Sequence, residues 1–134
     1  MIFTGVAVIS CWIMAAVCNA VMDTLAFHYS TSKFKGFNPL FWDVTKSWRN
    51  KYKNGRKDEG PKFFGSTTFL VFTTDAWHLF QFISNSLIIV SIVILAQPFF
   101  HLVWWIDILV FIGLKAIWGT VFELFYGTLL TDKI

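Results

Sequence analysis

The 134-residue chain is 56% hydrophobic and 14% charged, with a mean hydropathy of +0.61. A soluble domain carries roughly 25% charged residues, and three apolar stretches exceed the roughly 18 residues that mark a spanning helix, which excludes an ordinary soluble domain. Net charge is +3, but nine of the eleven Lys and Arg lie between Lys33 and Lys62. Against Asp43, Asp58 and Glu59 that region is +6, and the remainder is −3.

These features predict an all-α, polytopic membrane protein in one domain, with three transmembrane helices and an interfacial amphipathic helix in a cytoplasmic loop. A short basic loop stays on the cytoplasmic side, so the N-terminus is expected outside and the C-terminus inside. A bacterial inner membrane is the expected location. Residues 2–28 form the first helix. No positive charge precedes its apolar run, which argues against a secretory signal. Cys11 and Cys18, about 10 Å apart along the helix, are too distant to bridge and read as packing residues. Ala16 and Ala20 offer a small-xxx-small packing surface. Asn19 and Asp23 share a face near the inner end.

Residues 29–63 form the basic loop. Asn38-Pro39 reads as an N-cap followed by proline at the first helical position. From there to about Lys53, Leu40, Phe41, Val44, Trp48 and Tyr52 share one face and Lys46, Arg49 and Lys53 the other, as in a helix lying among inner headgroups. Asn54-Gly55 and Asp58-Glu59-Gly60-Pro61 are turn signals. Residues 64–97 are the second apolar segment. At about 1.5 Å per residue they would span roughly 50 Å as one helix, so either the helix tilts steeply or 64–74 lies at the interface, with the span proper at about 77–96. Gln97-Pro98 marks an outer turn. Residues 99–130 return as the third helix, with His101 and Trp104-Trp105 at its outer end. Asp107 and Lys115 are expected to pair with each other or with Asn85.

The chemistry-bearing stretch is Thr73 to Gln81. Asp75 and His78 are three residues apart, so on a helix they share a face, and Gln81 and Asn85 continue the stripe. Counted from the outer surface, Asp23 lies about 22 residues in, His78 about 19 and Glu123 about 24, a spread of a turn or so. Asp75 and Tyr126 are slightly deeper. Asp23, Asp75, His78, Glu123 and Tyr126 are therefore expected to form one inner-leaflet cluster. A histidine beside carboxylates serves as general base or nucleophile, and the same set suits a divalent metal. In that scheme Tyr126 binds a phosphate oxygen, and the basic loop, especially the run from Lys46 to Lys57 with Lys46, Arg49 and Lys53, draws in an anionic headgroup. The plainer expectation is that these groups cap helices and snorkel to water.

Asp75-Ala76-Trp77-His78-Leu79-Phe80-Gln81-Phe82 resembles the D-x-x-H-F entry to a helix in VanZ-like membrane proteins, and Phe122-Glu123-Leu124-Phe125 resembles the acidic signature on a later helix of that group. The resemblance covers a dozen residues; Ala76 stands where a basic residue is usual, and three hydrophobic segments stand where that group has four or more. It implies an enzyme acting on a phospholipid or lipid-linked phosphate. Two further expectations stay open: a non-catalytic structural or accessory subunit, such as a phage-encoded one, and a proton or ion conductor built on Asp107, Lys115 and Asn85, which would need a homo-oligomer. The expected partner is membrane lipid, anionic or phosphate-bearing, and not nucleic acid.

Overall fold

A computed structural model describes residues 2–100 and 103–125. Among the described residues the structure is helices and turns, with an isolated antiparallel bridge between Tyr52 and Pro61 and no strand. Helices α1 (Ile2–Phe27), α4 (Ala76–Phe100) and α5 (Trp104–Leu124) are each long and apolar enough to cross a membrane. At about 1.5 Å per residue each reaches or exceeds the roughly 30 Å of a hydrocarbon core.

The segment 39–53 is not one amphipathic helix. It forms α2 (Pro39–Trp42), α3 (Val44–Ser47) and a 3-10 turn over Trp48–Lys51. Asn38 caps α2 as expected, its Oδ1 accepting from Leu40 N at 3.0 Å. The break falls at Asp43, whose backbone is extended. Its N–H closes α2 on Pro39 O at 3.1 Å, while its carboxylate accepts from Thr45 N at 3.0 Å and Thr45 Oγ1 at 2.6 Å and so begins α3. A short acidic side chain that binds the backbone two residues on competes with helix continuation, and here it prevails over the 3.6-residue apolar pattern.

The second apolar segment becomes α-helical only at Ala76, not at Phe64, after a 3-10 turn over Val71–Thr73. Residues 63–74 make successive turns. Gly65 has φ +84°. Thr73 and Thr74 return their hydroxyls to Leu70 O and Val71 O at 2.8 and 2.7 Å, the same local competition. At the other end α4 continues through Gln97-Pro98 to Phe100. A proline this near a helix end forfeits one backbone bond rather than breaking the helix. The part of the third helix expected beyond Phe125, with Tyr126, lies outside the described residues, as does His101.

The chain divides into two compact units. In the unit Ile13–Asn85, Ala15, Cys18 and Leu25 are the buried residues of α1, so the packed stripe is theirs and Ala16 and Ala20 face outward. Ser84 Oγ on α4 donates to Ala15 O at 3.3 Å. The loop closes on the start of α4 through aromatic rings: Phe34 stacks on Trp42 at 5.1 Å, Trp42 meets Phe80 at 6.1 Å, and Phe72 stacks on Phe82 at 4.2 Å. In the unit Met1–Trp12 with Ser86–Ile134, Gln97 Nε2 donates to Asp107 Oδ2 and Lys115 Nζ donates to Ser86 Oγ at 3.2 Å. Contacts that step back along α4 while stepping forward along α5 fix an antiparallel helix pair. Asp107 and Lys115 thus bond across to α4 instead of to each other.

Candidate functional site

Asp75 is the N-cap of α4. Its backbone carbonyl accepts the first helical bond from Leu79 N at 3.1 Å, and its Oδ1 accepts from His78 N at 2.9 Å. A carboxylate at this position satisfies a backbone donor that the helix leaves unpaired and complements the positive end of its dipole. The same carboxylate holds the ring: His78 Nδ1 lies 2.8 Å from Oδ1 and 2.7 Å from Oδ2. Asp75 is 2% exposed, whereas a third of the His78 side chain is open. The edge of Trp77 abuts the imidazole at 5.2 Å.

A carboxylate accepts hydrogen bonds only, so Nδ1 is the donor, and the neutral ring presents its lone pair at Nε2. Among the described residues Nε2 takes no hydrogen bond. A carboxylate that fixes one ring nitrogen and leaves the other basic is the arrangement of a general base or nucleophile.

The other expected members do not join this pair among the described residues. Asp23 is exposed on α1 and forms no hydrogen bond or ion pair there. Equal depth does not set rotation about the helix axis: Asp23 stands off the stripe of Ala15, Cys18 and Leu25. Glu123 sits in the last turn of α5 with its side chain outside the described set, and Tyr126 is outside it altogether. No three His, Cys, Asp or Glu side chains gather among the described residues, so Asp75 and His78 have no third donor there for a divalent metal.

The cationic residues sort differently. Lys46 pairs with Asp43 at 3.4 Å. A hydroxyl from Thr45, with the nearby Lys46 ammonium adding to it, holds the Asp43 carboxyl below its ordinary value. Arg49 lies 5.4 Å over the Trp48 ring and lines a groove of about 740 Å³ with Arg56, Lys57 and Lys62. Lys53 is exposed and outside that lining. Arg56 is neutralised by Asp58 at 2.9 Å and Glu59 at 3.2 Å. Arg49, Lys57 and Lys62 form no ion pair among the described residues.

The groove exists because the loop folds back on itself. Asn54 and Gly55 turn the chain at φ +50° and +72° and Gly60 at φ +80°. Lys53 N then donates to Gly60 O at 3.0 Å and Lys62 N to Lys51 O at 2.9 Å. The buried Ser66 hydroxyl fastens the base by donating to Lys51 O at 2.8 Å. Asn50 joins groove to helix: its Nδ2 donates to Thr74 O at 2.6 Å and its Oδ1 accepts from Lys62 Nζ at 2.8 Å. Thr74 in turn reaches Asp75 Oδ2 at 3.4 Å. Asn50 and Lys62 are not among the expected site residues, and Arg56 and Lys57 are expected only as part of the basic run from Lys46 to Lys57. The signal for them was the pair of turn motifs, Asn54-Gly55 and Gly60-Pro61, which bring 56–62 back against 49–52.

Compared with protein-family models, curated proteins and solved structures, the chain matches none.

Proposed function

We propose that this is an integral membrane protein of the bacterial inner membrane that takes a phosphate-bearing lipid headgroup in its loop groove on the cytoplasmic side. The observation that carries the reading is the groove itself, where Arg49, Lys57 and Lys62 share a lining with no acid of its own. Each basic group near a membrane surface contributes about 1 kcal/mol of attraction to anionic lipid. In this reading His78 acts on the headgroup through Nε2 as base or nucleophile, and Asp75 holds its tautomer. Asn50, bonded to both Lys62 and Thr74, relates the groove to the helix end that carries the pair.

The second reading is a non-catalytic structural or accessory subunit. It is favoured by the capping bond from His78 N to Asp75, which gives the acid a structural task that requires no chemistry. The test uses the full chain in phosphatidylcholine nanodiscs. Anionic-lipid binding should weaken in the triple variant R49Q/K57Q/K62Q and persist in R49K/K57R/K62R. Turnover of a lipid phosphate should vanish in H78A while binding persists. Equal binding by wild type and the triple Gln variant would overturn headgroup recognition, and turnover unaffected by H78A would overturn the catalytic role.

A further inference from the structure

Resting on that reading, we infer that the groove selects a headgroup bearing a doubly charged phosphate, a terminal monoester or a diphosphate, over the singly charged phosphodiesters of ordinary anionic lipid. Charge supports the choice. Arg56 is taken up by Asp58 and Glu59, which leaves Arg49, Lys57 and Lys62 as cations without an acidic partner among the described residues. A phosphate monoester carries about −1.5 to −2 at neutral pH, and one diester would leave most of that positive charge unmatched. About 740 Å³ falls in the roughly 300–1,000 Å³ range of small-molecule sites, so the groove has room for a whole headgroup of either kind and charge makes the choice.

The donors are also arranged for more than one oxygen. Lys62 Nζ is steered by Asn50 Oδ1 at 2.8 Å and Arg49 is laid against Trp48, so the cations are held at separate points of the wall. A guanidinium offers a planar fork to two oxygens, and an ammonium a compact point charge. Asn54 Nδ2 donates to Glu59 Oε2 at 2.7 Å, so that acid is held by Asn54 and Arg56 and pairs with none of the other three cations among the described residues.

The test is titration calorimetry on the full chain in phosphatidylcholine nanodiscs at ~0.15 M salt, with short-chain phosphatidate and short-chain phosphatidylglycerol as probes. Above neutral pH, phosphatidate should bind about fivefold tighter for its added charge. As pH falls past the second ionisation near ~6, that preference should disappear. The groove lining contains Arg and Lys and no His, and the acids beside it are Asp58 and Glu59 on Arg56. His78, which the same reading brings to the headgroup, is controlled by repeating the titration in H78A, where the pH-dependent preference should remain if it reports the ligand and its loss would overturn that assignment. K57Q/K62Q should lose the preference and K57R/K62R should retain it. If phosphatidate and phosphatidylglycerol bind equally at both pH values but better than the nanodisc background, the selectivity is overturned and headgroup recognition stands. If neither binds above background, both fall. Inorganic diphosphate supplies the soluble arm: failure to compete supports a lipid-borne ligand, and competition as strong as that of phosphatidate overturns the lipid source.

Discussion

Asp75 has two tasks that one pair of substitutions separates. Replacing it with Ala removes the bond from His78 N and the grip on the imidazole. Loss of an N-cap costs about 1 kcal/mol, within a range of roughly 0.5–2. The ring adds little, because a third of the His78 side chain is open and Nδ1 can turn to water. Thr74 keeps its partner at Val71 O. Asp75→Ala should therefore lower the unfolding midpoint by about 3–6 °C for a chain of this size. Asp75→Asn should cost less than about 0.5 kcal/mol, since Asn and Asp cap about equally well. Its amide, however, can present N–H to Nδ1 and force the proton onto Nε2, the wrong tautomer for a base. Reversible unfolding in detergent, followed by far-ultraviolet circular dichroism, measures the first effect, and turnover measures the second. If Asp75→Asn is as unstable as Asp75→Ala, the cap does not explain the stability. If it is stable and fully active, the dyad does not explain the chemistry.

Asp43 ends α2 and begins α3, so Asp43→Ala should destabilise the loop by about 1 kcal/mol. Because the Thr45 hydroxyl above all holds the folded carboxyl below its ordinary value, its ionised form contributes stability that is present above about pH 4 and is lost as pH falls through the lowered value. The gap between wild type and Asp43→Ala, followed by hydrogen exchange of the loop, should stay level down to about pH 4 and then shrink; a gap that widens on acidification would refute the assignment. At Gly65, φ is +84° and an added Cβ would lie 2.9 Å from the Phe69 ring. Phe69 is 63% exposed and can swing away, so Gly65→Ala should cost about 1–2 kcal/mol through the backbone alone. Adding Phe69→Ala should not recover that stability, and recovery would show that the ring and not φ carries the cost.

What was legible in the sequence was local or compositional. The three long helices follow from apolar runs that need no knowledge of partners, and the Asn38-Pro39 start is a two-residue rule. The breaks at Asp43 and at 63–74 were not legible from periodicity, because both arise from polar side chains that bind nearby backbone in place of the helix. Asp43 sits in an apolar pattern that would otherwise run on to Tyr52. Thr73 and Thr74 delay α4 to Ala76 in the same way. Asn54-Gly55 reads as a turn in the sequence, but its consequence, bringing Lys62 within reach of Asn50, depends on a pairing across the hairpin. The groove is non-local for that reason, and of its cations Lys62 lies outside the basic run Lys46 to Lys57 expected to draw in a headgroup.

The pair at the head of α4 poses a narrower question, which the geometry divides cleanly. A cap explains Asp75 in full: a buried carboxylate at an N-cap, taking a backbone N–H at 2.9 Å, is stabilising whatever follows it. It does not explain His78. The capping bond uses only the backbone N–H of that residue, which any amino acid but proline supplies. The usual third residue of a capping box is Glu or Gln, reaching back to the cap's own N–H. A histidine there instead directs its ring onto the cap carboxylate, which fixes Nδ1 and leaves Nε2 without a hydrogen bond among the described residues. The cap gains nothing from that choice, and a third of the side chain stays open. The choice does yield an imidazole of defined tautomer at the end of a helix tied through Thr74 and Asn50 to a cationic groove. In the proposed reading the chemistry therefore rests on the side chain of His78, held by Asp75, and the start of the helix rests on the side chain of Asp75.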